Sequence, residues 1–78
     1  MKQIRVLFFG PLKDALGKEE ALVRTPANNP KALFQELGLG AHVDAKRVRI
    51  AVNGDFASWE TPLQPGDELV FIPPVAGG

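Results

Sequence analysis

The chain has no cysteine. That excludes a disulfide framework, a thiolate metal site and a thiol nucleophile. It has a single histidine, His42, in a polar stretch with no second histidine to share a metal ion. The plain reading of His42 is a surface residue. Neither sign of charge is in excess, since nine Lys and Arg balance nine Asp and Glu. A nucleic-acid binder normally carries a basic stripe, so the balance argues against one. There is no long hydrophobic run either. The opening MKQIRVLFFG carries Lys2 and Arg5, is too short to span a membrane and shows no signal-cleavage pattern. The expected location is the cytoplasm, with no membrane partner. Internal repeats and low-complexity segments are also missing.

What remains is enough for one small core. Seventy-eight residues, 45% of them hydrophobic, make a single domain. Lys2 to Phe9 alternates, with Ile4, Val6 and Phe8 on one face and Gln3, Arg5, Leu7 and Phe9 on the other. Such a period of two predicts a strand. Gly10-Pro11 ends it, and PLKDALG predicts a turn or two of helix stopped by Gly17. Glu20 to Thr25 reads as a second strand, paired with the first.

The main helix announces itself. Asn29 is a good N-cap, Pro30 suits the first helical position and Gly38 suits the residue just past the end. Ala32, Leu33, Phe34 and Leu37 supply its apolar stripe. RVRIAVNGDF is a hairpin, with Val48, Ile50 and Val52 inward, Arg47 and Arg49 outward, and Asn53-Gly54 as a type I′ turn. Pro65-Gly66-Asp67 makes a tight turn before a last strand from Glu68 to Ile72.

One main helix cannot cover both faces of about five strands. The economical solution is a mixed sheet curled round that helix, with its other face in water. The expected class is therefore α+β: a β-grasp, or ubiquitin-like, domain over residues 1–72, followed by an extended tail over 73–78. The first and last strands should lie side by side and parallel at the centre. Leu7 and Phe9 then sit on the open face, joined by either Leu69 and Phe71 or Val70 and Ile72. An apolar patch of that kind marks a partner surface, unless PLKDALG or SWETPLQ folds over it.

The tail, PPVAGG, is stiff first and bare last. Extended, its six residues reach about 20 Å. Pro73 and Pro74 end the strand and aim the chain outward. Val75 can anchor in a partner's groove, while Gly77 and Gly78 lack side chains and can thread a narrow channel. The carboxylate of Gly78 is expected to be the working group. A floppy terminus is the bland alternative.

PLQPGDELVFIPPVAGG resembles the end of the small sulfur-carrier subunit of molybdopterin synthase, the MoaD family. IRVLFFG, the helix and AVNGDF fall in the family's order, so the resemblance covers essentially the whole chain. It implies that a partner resembling the ubiquitin-activating enzymes adenylates the Gly78 carboxylate with ATP. A sulfur-donating enzyme then supplies sulfur, leaving a thiocarboxylate. It implies that the tail enters the large synthase subunit, where sulfur passes to a pyranopterin precursor, in an assembly of two small and two large subunits. The carrier itself would bind no cofactor and supply no general acid or base. By the same resemblance Gly77 and Gly78 are the reactive end. Leu7, Phe9, Leu63, Phe71, Pro73, Pro74, Val75 and Ala76 meet the partners, and Lys13 stands where the family often has a basic residue.

Other readings are a thiazole (thiamin) sulfur carrier, a ubiquitin-like modifier joined to lysines, and an inert interaction domain. Remaining candidates for chemistry read as structure. Trp59 suits the core edge, Asp67 suits its turn, and Arg47 and Arg49 suit a solvated face. Gly38-Leu39-Gly40 follows a helix where a phosphate loop would precede one.

Overall fold

The computed structural model describes residues 1–74. Strand β1 (Lys2–Phe8) runs into helix α1 (Gly10–Leu16), and β2 (Glu20–Thr25) returns beside β1. Helix α2 (Pro30–Glu36) then crosses the sheet to β3 (Arg49–Val52), β4 (Asp55–Ala57) and β5 (Glu68–Ile72). The strand order is β2-β1-β5-β3-β4. β1 and β5 are parallel neighbours at the centre, and the other pairings are antiparallel. This is the expected β-grasp.

Local chemistry sets the helix ends. Gly17 has φ 71°, and its N–H donates to the Lys13 carbonyl at 2.8 Å, closing α1. Asn29 caps α2 by accepting from the Ala32 N–H at 2.9 Å, with Pro30 opening the first turn. Between α2 and β3 lie two 3₁₀ turns, Leu39–Ala41 and Ala45–Arg47. Arg47 therefore closes a turn, capped by Asp44, instead of lying on the outer face of a strand.

The core lies between the sheet and α2. Ile4, Val6, Leu33, Leu69 and Phe71 are fully buried, and Phe8, Phe34 and Ile50 nearly so. Thr25 is the one buried polar side chain among the described residues. Its Oγ1 donates to Glu36 Oε1 at 2.6 Å and accepts from the Ala27 N–H at 3.0 Å, tying the end of β2 to α2. Leu12 is fully buried in the same core, so α1 is anchored on the helix side of the sheet. Leu63 is buried there too, and Trp59 sits edge-on to Phe34 at 5.0 Å. Neither PLKDALG nor SWETPLQ covers the other face.

Candidate functional site: the open sheet face

Register builds this face. Leu7 stands opposite Val70, Val70 opposite Ala51, and Ala51 opposite Phe56. Side chains opposite one another share a face, so these four form a row across β1, β5, β3 and β4. Ile72 lies two residues beyond Val70 on the same face, opposite Arg49. Phe9 follows the last residue of β1 on the parity of Leu7 and is 50% exposed. Phe56 is 74% exposed, with the Arg49 guanidinium 5.9 Å from its ring centre. Two phenylalanines this exposed on so small a domain are what a partner surface looks like.

Charge borders the apolar row on the β2 side. Arg5 Nε donates to Glu20 Oε2 at 2.6 Å, and its Nη1 lies 3.3 Å from Glu68 Oε2. The hydrogen bond to Glu20, and the charges of Glu20 and Glu68, raise the Arg5 pKa above its ordinary value. Lys13 Nζ sits 2.9 Å from Glu19 Oε1. Their hydrogen bond and mutual attraction raise Lys13 and lower Glu19. Lys13, Glu19, Leu7 and Phe9 line one shallow cavity of about 210 Å³, which puts Lys13 at the rim of the apolar face.

The structure settles the face of the last strand. Val70 and Ile72 share the open side, while Leu69 and Phe71 point into the core at 0% exposure. Three expected contact residues are thereby corrected. The Phe71 side chain is enclosed, with its ring 5.5 Å from that of Phe34. Leu63 is 4% exposed and held inward by the bond from its N–H to the Asn28 carbonyl at 2.8 Å. Pro73 is buried beside the start of α1, where a Cβ on Gly10 would lie 3.5 Å from its ring. These three support the surface and do not present it. Pro74 is exposed. Val75, Ala76, Gly77 and Gly78 lie outside the described residues.

Phe56, exposed, and Ile72, half-buried, make up for that loss, while Val70 on the same face is 9% exposed and lies beneath them. Phe56 was legible in principle. A two-residue Asn53-Gly54 turn with Val52 inward puts Ala51 outward, and Phe56 opposite it. His42 is exposed as expected, and no group of three or more His, Asp or Glu able to hold a metal occurs among the described residues. None of the described helices is long and apolar enough to cross a membrane.

Fold and face define a class: a ubiquitin-like β-grasp domain whose apolar sheet face is left open beside the exit of the chain from its central strand. The chain belongs to the ThiS family, whose model matches residues 6–78. It is 31% identical to the molybdopterin synthase sulfur carrier subunit of Escherichia coli, over 96% of this chain and 99% of that one. Among solved structures it is similar to a putative molybdopterin converting factor subunit 1 from Pyrococcus furiosus. That likeness has a TM-score of 0.78 and 25% identity, over 96% of this chain and 100% of that one. It is also similar to a chain of the complex of subunits 1 and 2 of the molybdopterin-converting factor from Helicobacter pylori. Here the TM-score is 0.63 and the identity 34%, over 97% and 99% of the two chains.

Proposed function

We propose that this protein is the sulfur carrier of a molybdopterin synthase, with the carboxylate of Gly78 as its carrying group. The observation that supports this reading most is the placement of Pro73 and Pro74. The first is buried against the domain and the second exposed, so the chain leaves a rigid base at the end of β5, next to Ile72 on the apolar face. In this reading the tail that follows enters a partner's channel while the face docks on the same partner. The relatives named for molybdopterin support that pathway over the thiazole one.

In this reading a partner of the ubiquitin-activating kind joins the Gly78 carboxylate to AMP from ATP, releasing pyrophosphate. A carboxylate is a poor electrophile, and the acyl-adenylate is a good one. Sulfide, delivered by a donor enzyme, attacks the acyl carbon; the bond to the AMP oxygen breaks, AMP leaves, and a thiocarboxylate remains. The large synthase subunit receives the tail; the thiocarboxylate sulfur bonds to a carbon of the pyranopterin precursor in place of an oxygen, and water cleaves the acyl–sulfur bond and restores the Gly78 carboxylate. Gly77 and Gly78 leave the backbone accessible at the reacting end, and Val75 and Ala76 line the partner's channel. This chain supplies the docking face and the reactive end. Acid and base chemistry belongs to the partners, and ATP is consumed by the activating enzyme.

The test is intact mass spectrometry after incubation with an activating enzyme, ATP and a sulfur donor, beside a chain lacking Gly78. A mass gain equal to one oxygen replaced by sulfur, located at Gly78 and absent from the shortened chain, is expected. A terminus that stays unmodified under those conditions overturns the reading. Adducts on protein lysines would mark a modifier instead.

A further inference from the structure

β2 is an outer strand of the sheet, with β1 on one side only. The ladder tells which of its backbone groups are free. The Phe8 N–H donates to the Glu19 carbonyl at 2.8 Å, whereas the Arg5 N–H turns the other way, to the Asp67 carbonyl at 3.0 Å. Backbone groups alternate sides along a strand. Ala21, Val23 and Thr25 therefore bond toward β1, and the N–H and C=O groups of Glu20, Leu22 and Arg24 point outward. The register with β1 is continuous from Thr25 to Glu20, so no bulge blunts this edge, and Pro26 lies just beyond it. Such an edge is a template for another strand.

Its side chains are complementary to themselves. Glu20 stands two residues before Leu22, and Arg24 two residues after it. Consider two copies paired antiparallel, with Leu22 opposite Leu22. Glu20 of each copy then faces Arg24 of the other. Glu20, Leu22 and Arg24 are the outward-bonding residues, so every opposed pair exchanges two backbone hydrogen bonds. Arg5 occupies only Oε2 of Glu20, which leaves Oε1 to accept from Arg24 of the second copy. Leu22 is 68% exposed and would be covered by its counterpart. On the helix side, half-buried Ala21 and Val23 would face Val23 and Ala21 of the other copy. A cavity of about 370 Å³, lined by Ala21 and Val23 from one face of β2 and Leu22 and Arg24 from the other, opens along this edge.

We propose that β2 is a self-docking edge through which two copies of this chain join their five-stranded sheets into one. A dyad perpendicular to the sheet leaves both apolar faces on the same side and both β5 exits free. Pairing is therefore compatible with carrier function and does not depend on it. The contact is small, so the dimer is weak.

Sedimentation velocity on the full chain, from about 10 µM to about 1 mM, tests this in the range where a small interface associates. A dimer that grows with concentration is expected. Arg24→Glu alone, or Glu20→Arg alone, sets like charges opposite and should weaken it about tenfold. An equimolar mixture of the two variants should dimerise again. Leu22→Pro removes only an outward donor and should abolish pairing; circular dichroism checks that it still folds, and the charge variants decide the matter if it does not. A monomer at every concentration overturns the proposal. So does a dimer indifferent to both charge reversals, or one lost only with Phe56→Ser.

Discussion

The side chain of Asn53 is clamped to Asp67. Its Nδ2 donates to Asp67 Oδ1 at 2.9 Å, and its Oδ1 accepts from the Glu68 N–H at 2.9 Å. Asp67 Oδ2 accepts from the Gln64 N–H at 2.7 Å, and the Gly66 N–H donates to the Gln3 carbonyl at 2.8 Å. The β3–β4 turn, the turn before β5 and the start of β1 are thus one hydrogen-bonded unit. Asn53 also holds φ at 52°, a conformation that asparagine and glycine tolerate best.

Those two roles separate by substitution. Asn53→Gly keeps the backbone conformation and loses the clamp, and should cost about 1 kcal/mol. Asn53→Ala loses both and should cost about 1–2 kcal/mol more. Urea unfolding of the two variants measures the difference, and equal losses would show that the clamp alone matters.

Thr25 offers a second contrast. Thr25→Ala leaves the buried Ala27 N–H without its acceptor and opens a small void, which should cost about 2–3 kcal/mol. Glu36→Gln still accepts from the Thr25 hydroxyl. It should move the denaturation midpoint little, because Glu36 is exposed.

Phe71 and Phe56 should behave oppositely. Phe71→Ala empties a fully buried site and should cost about 3–5 kcal/mol of stability. Phe56→Ser should change stability by about 0.5 kcal/mol or less. On the proposed function, calorimetry against a large synthase subunit should show Phe56→Ser weakening binding about tenfold or more. Unchanged binding would remove Phe56 from the docking face.

The Lys13–Glu19 pair gives stability a small pH dependence. The folded pKa of Glu19 is lowered, so its contribution is present above the unfolded value of about 4.3 and is lost as pH falls through the folded value. The folded pKa of Lys13 is raised, so its contribution is complete below about 10.4 and fades as pH rises through the folded value. Melting curves should separate the chain from Glu19→Gln slightly at pH 7, with the gap closing below pH about 4. Both partners are exposed, so the gap is small. A gap that widens on acidification would contradict the pairing.

Local signals explain what was legible. The start and stop of α2 follow from Asn29, Pro30 and Gly38, all within or beside the helix they define. The hairpin follows from Asn53-Gly54 and the inward parity of Val48, Ile50 and Val52. Leu7 and Phe9 reached the open face by the alternation of β1 alone. The faces of β5 were not legible, because a one-residue slip exchanges them. Only the pairing of Leu7 with Val70 across some sixty residues of chain decides. Leu63 failed for the same reason: a bond to Asn28, far away in sequence, turns it inward. Pro73 read as the first residue of a tail, since nothing near it in sequence discloses the contact with Gly10.

The central position of β5 has a consequence for synthesis. Without it, β1 with β2 and β3 with β4 are two separate ribbons, with no strand bonded to both. A nascent chain or a prematurely terminated product lacks the keystone of the sheet and has no closed core. An isolated two-stranded ribbon is marginally stable at best in water, so without β5 each half of the sheet has only its packing on α2 to hold it. The last strand is also the one that delivers the chain toward Gly78. Topology therefore makes the whole sheet depend on the strand that is synthesised last.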